Sequence, residues 1–369
     1  MKLLDRHILR ELTPIFIGTV LAFAGFIIVA AGPLLNAVNY LSQGVPAWLI
    51  LQLISLYLPP MLILAFPMGM LIAVILAFTR FSGDSEAVAM FASGISFYRM
   101  LVPTALFGLA VALVGLVINN SLVPAANHRI DYLKGNVFHE APETTQPFML
   151  PPIYWPGSKN KLEALAWVNG GYDEREQALK QVCINEFDET TGLPSVTIYA
   201  ESAQWEGGSD WQLRNGRIYT AAGVATTFPE LATRDIKSTP TMAAFLQDNP
   251  DDLTFAQLSR QIRLLKASGA PITKDLRDRE VNLWNKISVP LASFIFALVG
   301  APLALRPQRA ASRQAGFAYG ILIILGYYAL EKYLEILGQS GVVDPALAAF
   351  APNLIGIGLA AWLISRVTT

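Results

Sequence analysis

The chain has 369 residues, 53% hydrophobic and 15% charged, with a formal net charge of -1, against about 25% charged residues in ordinary globular chains. It shows no basic stripe to meet a phosphate backbone, which excludes a nucleic-acid binder, and its one cysteine, Cys183, excludes an internal disulfide and a multi-cysteine metal site. Residues 124–281 hold 16 of the 27 Lys and Arg and 21 of the 28 Asp and Glu, so two apolar parts flank one soluble domain of ordinary size.

From Leu12 to Thr79, 68 residues contain no Lys, Arg, Asp or Glu. Helices in water need a polar face, whereas a bilayer core about 30 Å thick takes about 20 apolar residues per helix. The run therefore reads as two membrane spans, with a turn at Asn36–Asn39 and Ser42–Gly44. Lys2, Arg6 and Arg10 before the first span, with Val29–Ala31 after it, also have the form of a cleavable signal peptide. The apolar run exceeds the ~7–15 residues of such a segment, so the span reads as retained. Pro59, Pro60 and Pro67 in the second span mark either structural kinks or a helix that bends.

The segment Arg80–Gly94 comes next. Asp84 or Ser85 is placed to cap a short helix, Gly94 to end it, and Ser96 to cap the third span, Met100–Val123. This helix, about 84–94, offers Glu86 beside Val88, Ala89, Met90 and Phe91. A helix lying on lipid usually carries Lys or Arg on its polar face. With an acid there instead, docking into a groove of a cytosolic protein is the better reading.

Gln181–Phe187, Ser195–Glu201 and Trp211–Tyr219 read as strands, separated by turns at Thr190–Pro194 and Gly207–Asp210. Trp155–Gly157 and Leu162–Val168 read as earlier strands, and Cys183 as a small buried hydrophobe. An open antiparallel sandwich is the natural product. Thr254 with Gln257 forms a capping box for a helix that runs to Lys266 and stops at Gly269. Three further spans follow: Val281–Leu305 with Lys286, Ala315–Leu337 with Glu331, Lys332 and Glu335, and Ala346–Ser365. Glu331 and Glu335 mark either the mouth of a cavity or the end of that helix. Gly316–Gly320 and Gly356–Ala360 are small-residue faces, for packing within the bundle or for a subunit interface.

The expected fold is a membrane α-helical bundle of six transmembrane helices, 3+3, with an inserted all-β domain. Residues 1–128 hold three spans, 129–281 the β-domain and its connecting helix, and 282–369 three more. Threading the spans in order puts Lys2, Arg6, Arg10, Arg80, Arg99, Arg306, Arg309, Arg313 and Arg366 on one side, and the opposite short loops carry none. By the positive-inside rule both termini are cytosolic and the β-domain lies outside. No G-x-x-x-x-G-K-[ST] phosphate loop or H-E-x-x-H occurs, and His7, His128 and His139 lack metal-ligand spacing. The chain is thus expected to be no enzyme by itself and to bind no cofactor or metal.

Asp84-Ser-Glu-x-x-Ala-Met-x-Ala-Ser-Gly-Ile-Ser96 resembles the coupling helix of the lipopolysaccharide export permease family. Trp205-x5-Trp211-x-Leu-x-Asn-Gly216 is similar to its β-jellyroll strands. Arg279-Glu280-x5-Lys286-x3-Pro290, Gly300-x-Pro302 and Arg313-x-x-Gly316 are similar to its fourth and fifth spans, and the resemblance covers essentially the whole chain. It implies a permease subunit of an ABC transporter in the bacterial inner membrane. Its partners would be a cytosolic ATPase dimer that binds the ATP, a second family permease or a second copy of itself, and a periplasmic β-jellyroll bridge protein. Asp84, Glu86, Met90, Phe91 and Gly94 would form the coupling contact. The first and fifth spans would form a lateral gate through which lipopolysaccharide, with its lipid A, enters from the outer leaflet, and the periplasmic jellyroll would pass it on through an interior that includes Val196, Ile198 and Leu213.

Family members often carry Lys or Arg near the outer end of the first span, where Ala30–Tyr40 has none. Lys286, Arg279 and Arg277 are the remaining candidates for lipid phosphates, the other reading of Lys286 being a snorkelling side chain. Either the substrate carries fewer phosphates or the partner permease supplies the charge. Two other functions compete: a membrane-anchored scaffold of the cell envelope, and a permease for another lipid or a lipoprotein. Lipoprotein permeases use four spans, which disfavours the latter.

Overall fold

The computed structural model describes residues 3–368 except 43, 137–147, 151–152, 156–160, 174–175, 209, 222, 224, 236–238, 268–273 and 306–312. Lys2, His139, Pro156, Gly157, Gly269, Arg306 and Arg309, singled out above, lie outside the described residues. The chain divides into two compact units, Met1–Ile130 with Arg277–Thr369, and Asp131–Leu276.

The first unit is helical. Its elements are α1 (Leu3–Ala30), α2 (Pro33–Ser42), α3 (Ala47–Gly83), α4 (Glu86–Ala92), α5 (Phe97–Val117), α9 (Lys274–Ala304), α10 (Arg313–Ser340) and α11 (Pro345–Thr368). A π-helical turn, Ile118–Leu122, joins α5 to α6 (Val123–Asn136) without a break. Among the described residues five helices are long and apolar enough to cross a membrane: Leu3–Ala30, Ala47–Gly83, Phe97–Lys134, Lys274–Ala304 and Pro345–Val367.

The sixth expected span is present as α10, with 28 residues, but it is not among the five. Its sequence explains why. Tyr327, Tyr328 and Glu331 dilute its apolarity and face inward, where Tyr327 donates to Asn353 Oδ1 at 2.9 Å and Tyr328 to the Leu64 carbonyl at 2.9 Å. A helix whose tyrosines find partners inside the bundle need not be uniformly apolar.

The expected turn at Asn36–Asn39 is corrected: these residues lie within α2. The chain reverses instead at Gly32 and Gly44, both at positive φ, and Pro33 opens the intervening helix, a first position that costs no backbone donor. Pro33, Ala37 and Tyr40 pack inward while Leu35, Val38 and Leu41 are exposed.

α3 is the core of this unit. Met70 to Ile75 are buried without interruption, along with Ala77 and Phe78. Helices without a polar face approach closely only where side chains are small, and glycines supply that where α1, α9 and α10 meet α3. A Cβ on Gly69 would stand 2.6 Å from Val20 of α1, one on Gly300 of α9 3.0 Å from Val74, and one on Gly320 of α10 2.8 Å from Ile72. Thr19 Oγ1 also donates to the Gly69 carbonyl at 3.0 Å. Gly356 of α11 faces Ile295 of α9. The small-residue faces of α10 and α11 therefore serve packing within the bundle.

Among its described residues the second unit carries eight antiparallel strands: β1 (Phe148–Met149), β2 (Ile153–Tyr154), β3 (Leu162–Val168), β4 (Tyr172–Asp173), β5 (Ala178–Phe187), β6 (Pro194–Gly207), β7 (Asp210–Thr220) and β8 (Ala225–Asp235). They form one sheet in the order β1-β3-β5-β6-β7-β8, with β2 on β3 and β4 on β5. In the β5–β6 turn Asp188 accepts from the backbone N–H of Thr191 at 2.8 Å and of Thr190 at 3.0 Å, which holds its carboxyl below the usual range. α7 (Pro240–Gln247) adds Ala243 and Leu246 to the apolar core around the buried Trp211. The expected capping box opens α8 (Phe255–Ala267): Gln257 Oε1 accepts from Thr254 N at 2.8 Å, and Thr254 Oγ1 from Gln257 N at 3.3 Å.

One row interrupts the pleat across four strands. Val182, Ala200, Gly216 and Phe228 pair in one line, and Leu179, Ala203, Leu213 and Leu231 in another. Both lines contribute to the same core, although strict alternation would put residues three apart on opposite faces. The extra residue is accommodated by left-handed backbone at Gln181 and Asn215, each at φ 51°. Such interruptions bend and twist a sheet.

The α1–α3 seam is directly testable. Gly69→Leu should lower the melting temperature of the purified chain in detergent, with a cost of roughly 1–3 kcal/mol for overpacking. Gly18→Leu on the open side of α1, where a Cβ meets nothing within 4 Å, should leave it unchanged.

Candidate functional site

The connection between α3 and α5 is the sharpest local feature. α3 runs out at Gly83, and Asp84 closes it with its N–H on the Arg80 carbonyl at 2.9 Å. Ser85 then adopts left-handed backbone, φ 60°, and α4 begins at Glu86. The expected side-chain cap by Asp84 or Ser85 is absent: Ser85 makes no such bond, and the Asp84 carboxylate lies 3.5 Å from Arg80 Nε. The backbone reversal occupies the position a capping side chain would take. At the other end the expectation holds. Gly94, φ 82°, donates to the Phe91 carbonyl at 3.0 Å, and Ile95 N to the Met90 carbonyl at 3.0 Å, a Schellman termination. Ser96 Oγ accepts from Arg99 N at 3.4 Å and caps α5.

α4 shows two faces. Ala87 is buried, and Met90 and Ile95 pack beside it against Ile8, Leu12, Phe81 and Phe97. Val88, Phe91 and Gly94 face outward, and half-exposed Glu86 lies beside them. Of the five residues expected there, Met90 thus belongs to the inner face and the other four line the outer side. Ion pairs surround the knob. His7 Nε2 lies 3.0 Å from Glu86 Oε2 and its ring 5.7 Å from that of Phe81. Arg99 Nη2 lies 2.6 Å from Asp5 Oδ1, and Arg80 pairs with Glu11 as well as Asp84.

A second polar region lies where α9, α10 and α11 meet. Arg279 and Lys286 are both buried, so Lys286 is not the surface-snorkelling side chain of the simpler reading. Pro290 has no N–H to give the carbonyl one turn back, that of Lys286. Asn119, in the π-helical turn, supplies the missing donor at 3.0 Å. Nearby, Asn353 Nδ2 donates to the Ser288 carbonyl at 2.8 Å, and Ser288 Oγ to the Ala349 carbonyl at 2.5 Å. Arg277 Nε donates to the Gln339 carbonyl at 3.1 Å. Glu335 pairs with Lys332 at 2.8 Å, which relieves the repulsion expected between Glu335 and Glu331.

The third set, Val196, Ile198 and Leu213, lies on the inner face of the sheet. Ile198 and Leu213 are fully buried, and Val196 packs on the same core. Cys183 is buried on the opposite face, paired across the ladder with Tyr199, and burial pushes its thiol up from the usual value. His128 is exposed, and the described residues contain no group of His, Cys, Asp and Glu able to hold a metal ion.

Sequence reasoning missed the His7–Glu86 pair and the Asn119–Lys286 bond. Residues 79 and 167 positions apart carry no local signal. The clue to the second was Pro290, since an orphaned carbonyl needs a donor.

A family model described as Lipopolysaccharide export system permease LptF/LptG matches residues 6–366 of the chain. No curated protein matches it.

Removing the Asn119 donor tests the proline compensation. Asn119→Leu leaves the Lys286 carbonyl unsatisfied and should destabilise the chain by roughly 1–3 kcal/mol, read as a lower melting temperature. Adding Pro290→Ala restores the backbone N–H and should recover most of the loss. A double variant no more stable than Asn119→Leu alone would contradict the assignment.

Proposed function

Because this membrane chain belongs to the lipopolysaccharide export system permease family LptF/LptG, we propose that it is the membrane subunit of an ABC transporter that lifts lipopolysaccharide out of the bacterial inner membrane. Two such subunits, a family pair or two copies, sit over a cytosolic ATPase dimer, and the β unit lies in the periplasm. The distribution of Lys and Arg supports that orientation. The observation that carries the coupling is α4. It is a seven-residue helix between two membrane-length helices, anchored by Ala87 and Met90, with Glu86, Val88 and Phe91 left to the outside. A small apolar surface with one acid fits a groove in a protein rather than an anionic lipid surface.

The division of work follows from the chemistry. Withdrawing acyl chains from a bilayer costs about 0.8 kcal/mol per buried CH₂, and the chain has no phosphate loop with which to recover that from ATP. A separate ATPase supplies it. The inner face of the sheet, with Val196, Ile198 and Leu213, receives the lipid when the core that buries Ile198 and Leu213 opens, and hands it to a periplasmic β-jellyroll partner. With Arg279 and Lys286 buried, an anionic headgroup reaches them only when the surrounding helices part.

Phe91→Ala and Glu86→Ala should each cut the amount of ATPase that co-purifies with the chain, and cut ATP-driven lipopolysaccharide release by about tenfold or more, the loss typical of removing a central interface contact. Unchanged co-purification and release in both variants would refute α4 as the docking element and leave the scaffold reading in its place.

A further inference from the structure

We infer that Asp5, His7 and Glu11, on the first turns of α1, are positioning residues that fasten α1 to the α4 knob, so that displacement of α4 is delivered to α1 directly. The inference rests on the permease reading above and adds the route by which force leaves the docking helix.

Three contacts carry it, each from α1 to a different element. Asp5 pairs with Arg99 in the first turn of α5, His7 with Glu86 in the first turn of α4, and Glu11 with Arg80 in the last turn of α3. Exposed ion pairs hold little energy singly, but these three enclose a packed apolar floor. Ile8 and Leu12 are completely buried on it, against Phe81, Ala87 and Phe97. One stretch of α1 therefore ties the end of α3, the start of α4 and the start of α5 together.

The rest of α1 is held differently. In its apolar stretch only 28% of residues are buried, against 67% for α3. Ile17, Leu21, Phe26 and Val29 are exposed, and the inward residues Phe16, Val20 and Ala24 follow a single stripe along α3. A helix packed on one side along its length but clamped at one end moves with the clamp. Packed elements pass displacement on because their contacts shift as units. The middle of α3, where Met70 to Ile75 are buried without interruption, is the fixed reference against which α1 moves.

The test uses the assembled complex of the chain with its ATPase in lipid vesicles and reads ATP hydrolysed per lipopolysaccharide released. Arg99→Asp alone should raise this ratio by roughly tenfold while the ATPase still co-purifies, and the swap Asp5→Arg with Arg99→Asp should bring it back toward the unaltered value. His7→Leu should raise the ratio as well, and His7→Gln, which keeps a hydrogen bond to Glu86, should restore it. If the complex assembles and the ratio is unchanged in Arg99→Asp and His7→Leu, or the swap and His7→Gln restore nothing, the relay is wrong and the permease reading stands. If the unaltered chain brings down no ATPase and shows no ATP-driven release, the permease reading fails and the relay falls with it.

Discussion

The structure depends on one constraint: a helix of 37 residues, α3, with no charged residue before Arg80 in its last turn, has to satisfy its backbone groups and pack against other helices. Three of its neighbours, α1, α9 and α10, meet that demand at a glycine. Gly69 on α3 itself, Gly300 on α9 and Gly320 on α10 let backbones come close enough for contact along nearly the whole helix. Prolines within the spans free carbonyls that polar side chains must then serve. Asn119 answers Pro290 in this way. At that position a partly buried polar side chain repairs the backbone.

The β unit solves a different problem. A sheet with one apolar face needs something against that face, and here α7 and the folded sheet itself provide it around Trp211. The interrupted row from Gln181 to Asn215 keeps the apolar face continuous where simple alternation would have broken it. Continuity matters for a surface proposed to carry acyl chains, because each exposed polar step along the way would cost desolvation of that group.

Much of this was legible in the residues. The charge-free run from Leu12, the strands β5 to β7, the Thr254–Gln257 cap and the left-handed Gly94 all follow from local rules that tertiary contacts did not override. α2 was not legible, because Asn36, Asn39 and Ser42 carry turn chemistry while the helix is fixed by Pro33 and by burial of Ala37 and Tyr40. β8 was hidden by Pro229, which a strand tolerates only at a sheet edge, and β8 is the last strand of its sheet. α10 looked like the other spans, and only its partners on α3 and α11 explain its tyrosines. At the candidate site the composition of the α4 segment was readable. Its attachment to α1 was not, since ion pairs between distant residues leave no periodicity.

The claim that ATP drives glycolipid along the inner face of the β unit is tested most directly by a photo-reactive residue at Ile198, in the assembled complex in vesicles containing lipopolysaccharide. The account predicts glycolipid adducts that appear with ATP and are lost when a non-hydrolysable analogue replaces it. Adducts of equal yield without nucleotide, or none while release proceeds, would contradict it.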